Sequence, residues 1–233
     1  MINKALRTMF LFTIMLVTAC ASAHPVKEEF RTLTEFTGIK ANGAFIITVV
    51  QGKGSSVKIE AEQQMLSRIR TEVKDGILSI YTEGKTETEN PMMIYVTTEQ
   101  LKKAEMNGAS RLRSETDLHV NELTLKTSGA GSIDLKVKAA GVDVISNGAG
   151  KIELCGSALK LTATLSGASS LNAYDLQTDF ASVKTTDASN AKITANDTFN
   201  GQANGASYIN YKGAPGKKKI NTTGASFIEK AGA

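Results

Sequence analysis

Residues 123–171 read LTLKTSGAGSIDLKVKAAGVDVISNGAGKIELCGSALKLTATLSGASSL. Three near-identical tetrapeptides punctuate this stretch: SGAG at 128–131, NGAG at 147–150 and SGAS at 166–169. The same signature extends outward as NGAS (107–110), TDAS (186–189), NGAS (204–207) and TGAS (223–226). Its second residue forms a ladder of Gly108, Gly129, Gly148, Gly167, Asp187, Gly205 and Gly224, with steps of 21, 19, 19, 20, 18 and 19 residues. Self-similarity at about 19 residues marks a solenoid. The period is too short for a helical hairpin and fits short strands joined by turns.

The flanks agree. Four residues beyond each anchor stand Leu112, Ile133, Ile152, Leu171, Ala191, Ile209 and Ile228. Six beyond stand Ser114, Leu135, Leu154, Ala173, Ile193, Tyr211 and Lys230, apolar except at the two ends. Before the anchors the same alternation holds, as in Leu123, Leu125, Thr127 and in Val142, Val144, Ser146. Period-two alternation on both sides predicts one strand before and one after each tetrapeptide, with the intervening Lys, Asp, Glu, Asn and Thr facing water.

Each tetrapeptide therefore reads as a corner. Glycine at the anchor supplies a left-handed or bulged backbone. Asp187 fits the same position, because Asp and Asn are the other residues that tolerate it. The following alanine never varies, which predicts a crowded site between stacked coils. The Asn, Ser or Thr before each anchor is expected to bond to local backbone or to the same column in the next coil.

The earlier chain has a different texture. Longer strands are expected at 44–51, 56–61, 69–73 and 77–82, with Lys74-Asp75-Gly76 as a hairpin turn. Short helical turns are expected at 61–66 and 98–104. Asn42-Gly43-Ala44-Phe45 echoes the ladder once, and 85–90 reads as a solvated loop. One continuous β-domain over 37–230 follows from these readings, with a more irregular β part at its N-terminal side.

The first residues belong to something else. Lys4 and Arg7 precede an apolar run from Met9 to Val17, the pattern of a secretory signal over residues 1–19. Val17-Thr18-Ala19-Cys20 has the form of a lipobox, which would leave Cys20 as the lipidated first residue. Cleavage after Ala23 is the alternative. Residues 20–36 then read as a tether. Later segments fall short of the roughly 20 apolar residues that a transmembrane helix needs. Without Lys4 and Arg7 the chain has 25 basic and 23 acidic residues. That balance argues against a nucleic-acid partner.

The run GIKANGAFIITVVQG, followed by SSVKIEAEQQML, IRTEVKDGILSIYT and the repeated [NST]-G-A-[SG], resembles the putative auto-transporter adhesin head GIN domain family. The resemblance spans about residues 36–228. It implies a right-handed parallel β-solenoid, pectate-lyase-like in shape, in a bacterial envelope or secreted protein, often a lipoprotein. It implies no catalytic residues and no cofactor.

A β-helix invites a search for polysaccharide-cleaving chemistry, which needs paired carboxylates or carboxylates holding calcium beside a base. Asp134 and Glu153 share a column in adjacent coils and form one weak pair. Their column continues as Asn172 and Lys192, the composition of a solvated face. The repeat coils contain no arginine after Arg113. His24 and His119 are too isolated for a zinc site, and Cys155 reads as a small, buried, inert thiol. GAGKIE (148–153) lacks the ending of a phosphate loop, and Lys217-Lys218-Lys219 reads as a solvated turn, with contact to an anionic envelope glycan as the alternative.

What remains is surface. The expectation is a non-enzymatic envelope lipoprotein, anchored to the outer membrane through Cys20 or otherwise periplasmic or secreted. Its solenoid would present rows of polar residues to a glycan or to another envelope protein. Asp134, Glu153, Tyr174 and Tyr208 are the candidate surface-binding residues, and Tyr211 reads as core. The rivals are a polysaccharide-active β-helix enzyme and a structural subunit that self-associates end to end.

Overall fold

A computed structural model describes residues 25–85 and 87–232. The signal segment, both cleavage sites, Cys20 and His24 lie outside the described residues. Among the described residues eighteen strands join in one sheet wound into a parallel β-solenoid, with a single four-residue helix.

The stack does not follow chain order at its start. β1 (Val26–Thr32), β2 (Gly38–Gly43), β3 (Phe45–Gln51), β4 (Ser56–Glu62), α1 (Gln63–Leu66), β5 (Ile69–Lys74), β6 (Ile77–Thr82) and β7 (Met92–Thr98) precede the regular coils. β8 (Lys103–Gly108) and β9 (Arg111–Ser114) form the first of those coils. The β2–β3 coil lies between the β6–β7 coil and the β8–β9 coil, parallel to both. Gly43 pairs with Gly108, so the NGAF echo is a true rung of the ladder.

Antiparallel strands close this end. β5 returns along β6 through Asp75 and Gly76, with φ of 52° and 70°. Two consecutive left-handed residues suit the twist of a tight hairpin. β4 runs antiparallel to β7, and β1 antiparallel to β4. The expected tether at 20–36 is thus corrected for its described part, since residues 26–32 are a paired strand. Arg31 fastens it, donating to the carbonyls of Ile69 at 2.9 Å and Leu66 at 3.3 Å and to Thr71 Oγ1 at 3.0 Å.

The helical turn expected at 61–66 appears as α1, which buries Met65 and Leu66. The one expected at 98–104 is absent. There Thr98 ends β7 and donates its hydroxyl to the Phe36 carbonyl at 2.8 Å, and the Lys102 N–H bonds to the Thr37 carbonyl at 2.7 Å. Partners distant in the same chain engage this segment, so no local helix is needed.

From β8 onward each coil follows its predecessor: β10 (Leu118–Gly129), β11 (Ser132–Gly148), β12 (Lys151–Leu165), β13 (Ser170–Thr185), β14 (Asn190–Thr194), β15 (Thr198–Gly205), β16 (Tyr208–Lys212), β17 (Lys217–Gly224) and β18 (Phe227–Lys230). The long middle strands bend and contribute a third face, where Leu118, Val137 and Gly156 are register partners. Inside, Leu112, Ile133, Ile152, Leu171, Ala191 and Ile209 stack in register and are almost completely buried. Burying a Leu or Ile side chain contributes about 1.5–3 kcal/mol, so these columns dominate stability.

Every anchor has positive φ: 72° at Gly108, 81° at Gly129, 91° at Gly148, 73° at Gly167, 61° at Asp187, 77° at Gly205 and 74° at Gly224. The alanines, however, are not the crowded positions. All seven are exposed, and the fourth residue of each tetrapeptide is buried. The left-handed anchor turns the chain so that alanine points outward while its N–H bonds back to the anchor below, as from Ala149 to the Gly129 carbonyl at 2.8 Å. The fourth residue then points inward. At Ser169, Ser189, Ser207 and Ser226 the hydroxyl caps its own turn, as from Ser169 to the Ser166 carbonyl at 2.7 Å, whereas Ser110 donates to the Gly43 carbonyl at 3.0 Å. Where it is glycine, neighbouring atoms fill the space: the Met106 backbone at Gly131, and at Gly150 two hydroxyls, Thr127 from the coil below and Ser146 from the strand leading into the same corner. Thr127 Oγ1 and Ser146 Oγ lie 2.6 Å apart, and a Cβ on Gly150 would come within 2.1 Å of the first. Before the anchors, Asn107 bonds to Asn42 at 2.8 Å and Ser166 to Asn147 at 2.6 Å, column to column as expected.

Candidate binding face

The face that follows each corner carries two outward rows. Five residues past the anchors run Arg113, Asp134, Glu153, Asn172, Lys192, Asn210 and Glu229, each the register partner of the next. Three past the anchors run Arg111, Ser132, Lys151, Ser170, Asn190, Tyr208 and Phe227. Strand pairing fixes neighbouring side chains in a row at about 4.8 Å. The face is therefore a regular polar lattice on a rigid support.

Asp134 and Glu153 meet as the column predicts. A shallow cleft of about 320 Å³ includes them with Arg111 and Lys151. Lys151 Nζ lies 2.7 Å from Glu153 Oε1, so Glu153 is already compensated. Among the described residues, no group of three His, Cys, Asp or Glu could hold a metal ion.

Tyr174 and Tyr208 differ in what they offer. Tyr174 sits at a register shift between β12 and β13 and is half-buried, and burial raises its phenol pKa. Lys212 Nζ stands 4.3 Å from its ring centroid and Lys192 Nζ 5.8 Å. These cation–π contacts already use the ring. Tyr208 is 47% exposed and stacks on Phe227, itself 49% exposed, with centroids 5.6 Å apart and planes 18° apart. A cleft of about 220 Å³ beside the pair is lined by Ile209, Asn210 and Glu229 as well. Sequence reasoning missed Phe227, although its place three residues past the last anchor puts it in the row of Tyr208. Tyr211 is buried against Phe199, centroids 4.7 Å apart, as expected of core.

The remaining candidates carry little chemistry. Cys155 is half-buried rather than buried. Burial, then nearby Asp134, pushes its thiol pKa upward, away from the reactive thiolate. His119 is exposed, and its backbone is clasped by Gln51. Lys217, Lys218 and Lys219 lie on β17, a strand rather than a turn, and every residue of it is exposed.

At the opposite end, buried Glu62 works as a latch. Its Oε1 accepts bonds from Thr88 Oγ1 at 2.9 Å and from the N–H groups of Glu89 and Asn90 at 3.0 Å each. Its Oε2 accepts from Gln64 at 2.9 Å. These donors, Gln64 foremost, lower its pKa to about 2.

A family model described as "Putative auto-transporter adhesin, head GIN domain" matches residues 35–215. None of the curated proteins matches the chain. Among solved structures, a putative adhesin from Bacteroides fragilis is 22% identical, with 88% of this chain and 97% of that chain covered and a TM-score of 0.82. A putative adhesin from Parabacteroides distasonis is 19% identical, with 90% and 98% covered and a TM-score of 0.71. A putative lipid binding protein from the same species is 17% identical, with 88% and 96% covered and a TM-score of 0.70. At these identities the likeness is one of fold.

Proposed function

The chain belongs to the putative auto-transporter adhesin head GIN domain family, and on that premise we propose that it is a non-catalytic binding protein of the bacterial envelope. Its ligand-binding surface is the polar face beyond the corners, and its partner is a glycan or another envelope protein. The observation that carries this reading is the lattice itself: in-register rows of amides, carboxylates and lysines from Asp134 to Glu229, ending in the exposed Tyr208–Phe227 pair. A rigid lattice with a fixed repeat suits a partner with a repeat of its own. Its backbone is already ordered, so binding carries little loop-ordering cost.

The enzyme reading has only the Asp134–Glu153 pair to rest on, and Lys151 occupies Glu153. End-to-end self-association is opposed by Lys218 and Lys230. These occupy the apolar columns of the last coil, above Phe199 and Tyr211.

We assign the first residues to a lipoprotein signal, with Cys20 as the lipid-bearing residue and the outer membrane as the site of anchorage. Metabolic labelling with a fatty-acid analogue should mark the wild-type chain and not Cys20→Ser. Equal labelling of both would remove the anchor from this reading.

The binding function is tested by applying the purified full chain to an array of bacterial and host glycans at low and moderate salt. The expected result is a specific set of glycans retained at moderate salt. Retention of none would overturn the glycan partner and leave an envelope protein as the partner to be sought.

A further inference from the structure

The charges of the chain are not spread evenly along the solenoid. Residues 212–233 hold five lysines and one glutamate, whereas residues 20–211 hold 20 basic and 22 acidic residues. The exposed aromatic pair sits at that same basic end. Among the described residues Phe227 lies on the last strand of its face, and β18 pairs there with β16 alone. One side of its ring rests on Tyr208, and among the described residues no further strand covers the other. Asn210 and Glu229 line the adjoining cleft.

We propose that this terminal coil is the subsite for an acidic sugar residue of a polysaccharide. It packs a pyranose ring on Phe227 and Tyr208, holds hydroxyls with Asn210 and Glu229, and attracts the acidic group at long range through Lys217, Lys218 and Lys219 on β17, outside the cleft lining.

The proposal rests on the reading of the chain as a glycan-binding surface and gives that surface a location and a ligand class. The chemistry selects the class. A pyranose presents an apolar C–H face and a rim of hydroxyls, which matches two rings flanked by an amide and a carboxylate. At about 220 Å³ the cleft is smaller than those that take drug-sized ligands, and it suits one ring. A lipid chain would need a deeper groove without polar lining. The lysine excess supplies a long-range attraction for anions that salt screens, while the stacked ring supplies a short-range one that salt spares.

The test measures the full chain against polygalacturonate, heparin, neutral dextran and phosphatidylglycerol-containing vesicles, at two salt concentrations. Binding to at least one acidic polysaccharide, with dextran and vesicles much weaker, is expected. Phe227→Ala should weaken that binding about tenfold at both salts, from the worth of one aromatic stack. K217Q/K218Q/K219Q should weaken it mainly at low salt and flatten its salt dependence. Phe30→Ala removes an aromatic ring that is 75% exposed at the other end and should change nothing. Equal affinities for wild type and Phe227→Ala, or a preference for vesicles or dextran, would overturn the subsite. Failure of the acidic polymers alongside glycans retained on the array would overturn the subsite only. Failure of both would remove the glycan reading as well.

Discussion

The Asp187 carboxylate accepts a hydrogen bond from the backbone N–H of Gly167 at 3.0 Å, one coil below it on the ladder. This contact explains how one rung dispenses with glycine. Asp187 holds φ at 61°, where an ordinary side chain is strained, and its side chain repays part of that strain by satisfying a corner N–H that faces solvent.

Asp187→Ala should therefore lower stability by about 1–2 kcal/mol, since it keeps the strain and loses the bond. Asp187→Gly should be nearly neutral, because relief of the strain offsets the lost contact. Chemical denaturation of both variants separates the two effects. A glycine variant as unstable as the alanine variant would show that the hydrogen bond, not the backbone, governs this corner.

The inward position of each corner gives a second prediction. Gly150→Ser copies the serine of other rungs, yet its Cβ would meet Thr127 Oγ1 at 2.1 Å and Ser146 Oγ at 2.5 Å. Overpacking of this kind costs about 1–3 kcal/mol. Adding Thr127→Ala and Ser146→Ala should recover part of the loss, a non-additivity measured as a mutant cycle. Simple additivity would mean that the three sites do not share one space.

These two corners also mark how far the sequence could be read. The 19-residue period and its apolar columns were legible because each coil repeats the same local solution in register, as Ile133, Ile152 and Leu171 do. The Asp187 exception was legible because its residue type matches its backbone. Which corner residue faces inward was not, because alanine and serine are both small and period-two reasoning breaks at a left-handed residue. The order of the first coils was hidden for another reason. That β2 lies between β6 and β8 depends on pairing across long sequence separations, and local pattern does not record it. β1 reads as polar because it is an edge strand with most residues exposed. Phe227 was overlooked because a single aromatic in a polar row carries no periodic signal.

β1 supplies the third prediction. Beyond the β1–β4 ladder, Arg31 ties β1 to the segment that follows β4, through the carbonyls of Leu66 and Ile69. Arg31→Ala should raise amide exchange across residues 26–32 and along facing β4 while leaving the coils after Gly108 unchanged, as expected for local opening. Uniform acceleration over the whole chain would show instead that β1 is part of the global folding unit.

The far end gives the fourth. Lys218 and Lys230 continue two apolar columns into solvent, over Phe199 and Tyr211. Charges on a terminal edge discourage strand addition. Lys218→Ile with Lys230→Ile should produce concentration-dependent association in sedimentation runs at concentrations where the wild type shows less. An unchanged profile would mean that the edge is protected by something other than these two charges.

Glu62 provides a pH-dependent prediction. Its pKa lies at about 2 in the folded chain against an ordinary value of 4.5, because Gln64, Thr88 and Asn90 all donate to the carboxylate. A group whose pKa is depressed by folding stabilises the folded state above its unfolded value and loses that contribution as pH falls through its folded value. The melting temperature of the wild type should therefore decline between about pH 4.5 and pH 2 in part through this latch. Glu62→Gln should melt lower at pH 7, since a neutral amide oxygen is a weaker acceptor than the carboxylate for Thr88, Glu89 and Asn90 and the amide nitrogen, in the place of Oε2, would face the Gln64 donor; its profile should be flatter below pH 4.5. Parallel profiles for the two chains would mean that other carboxylates govern the acid limb and that the latch contributes nothing to it.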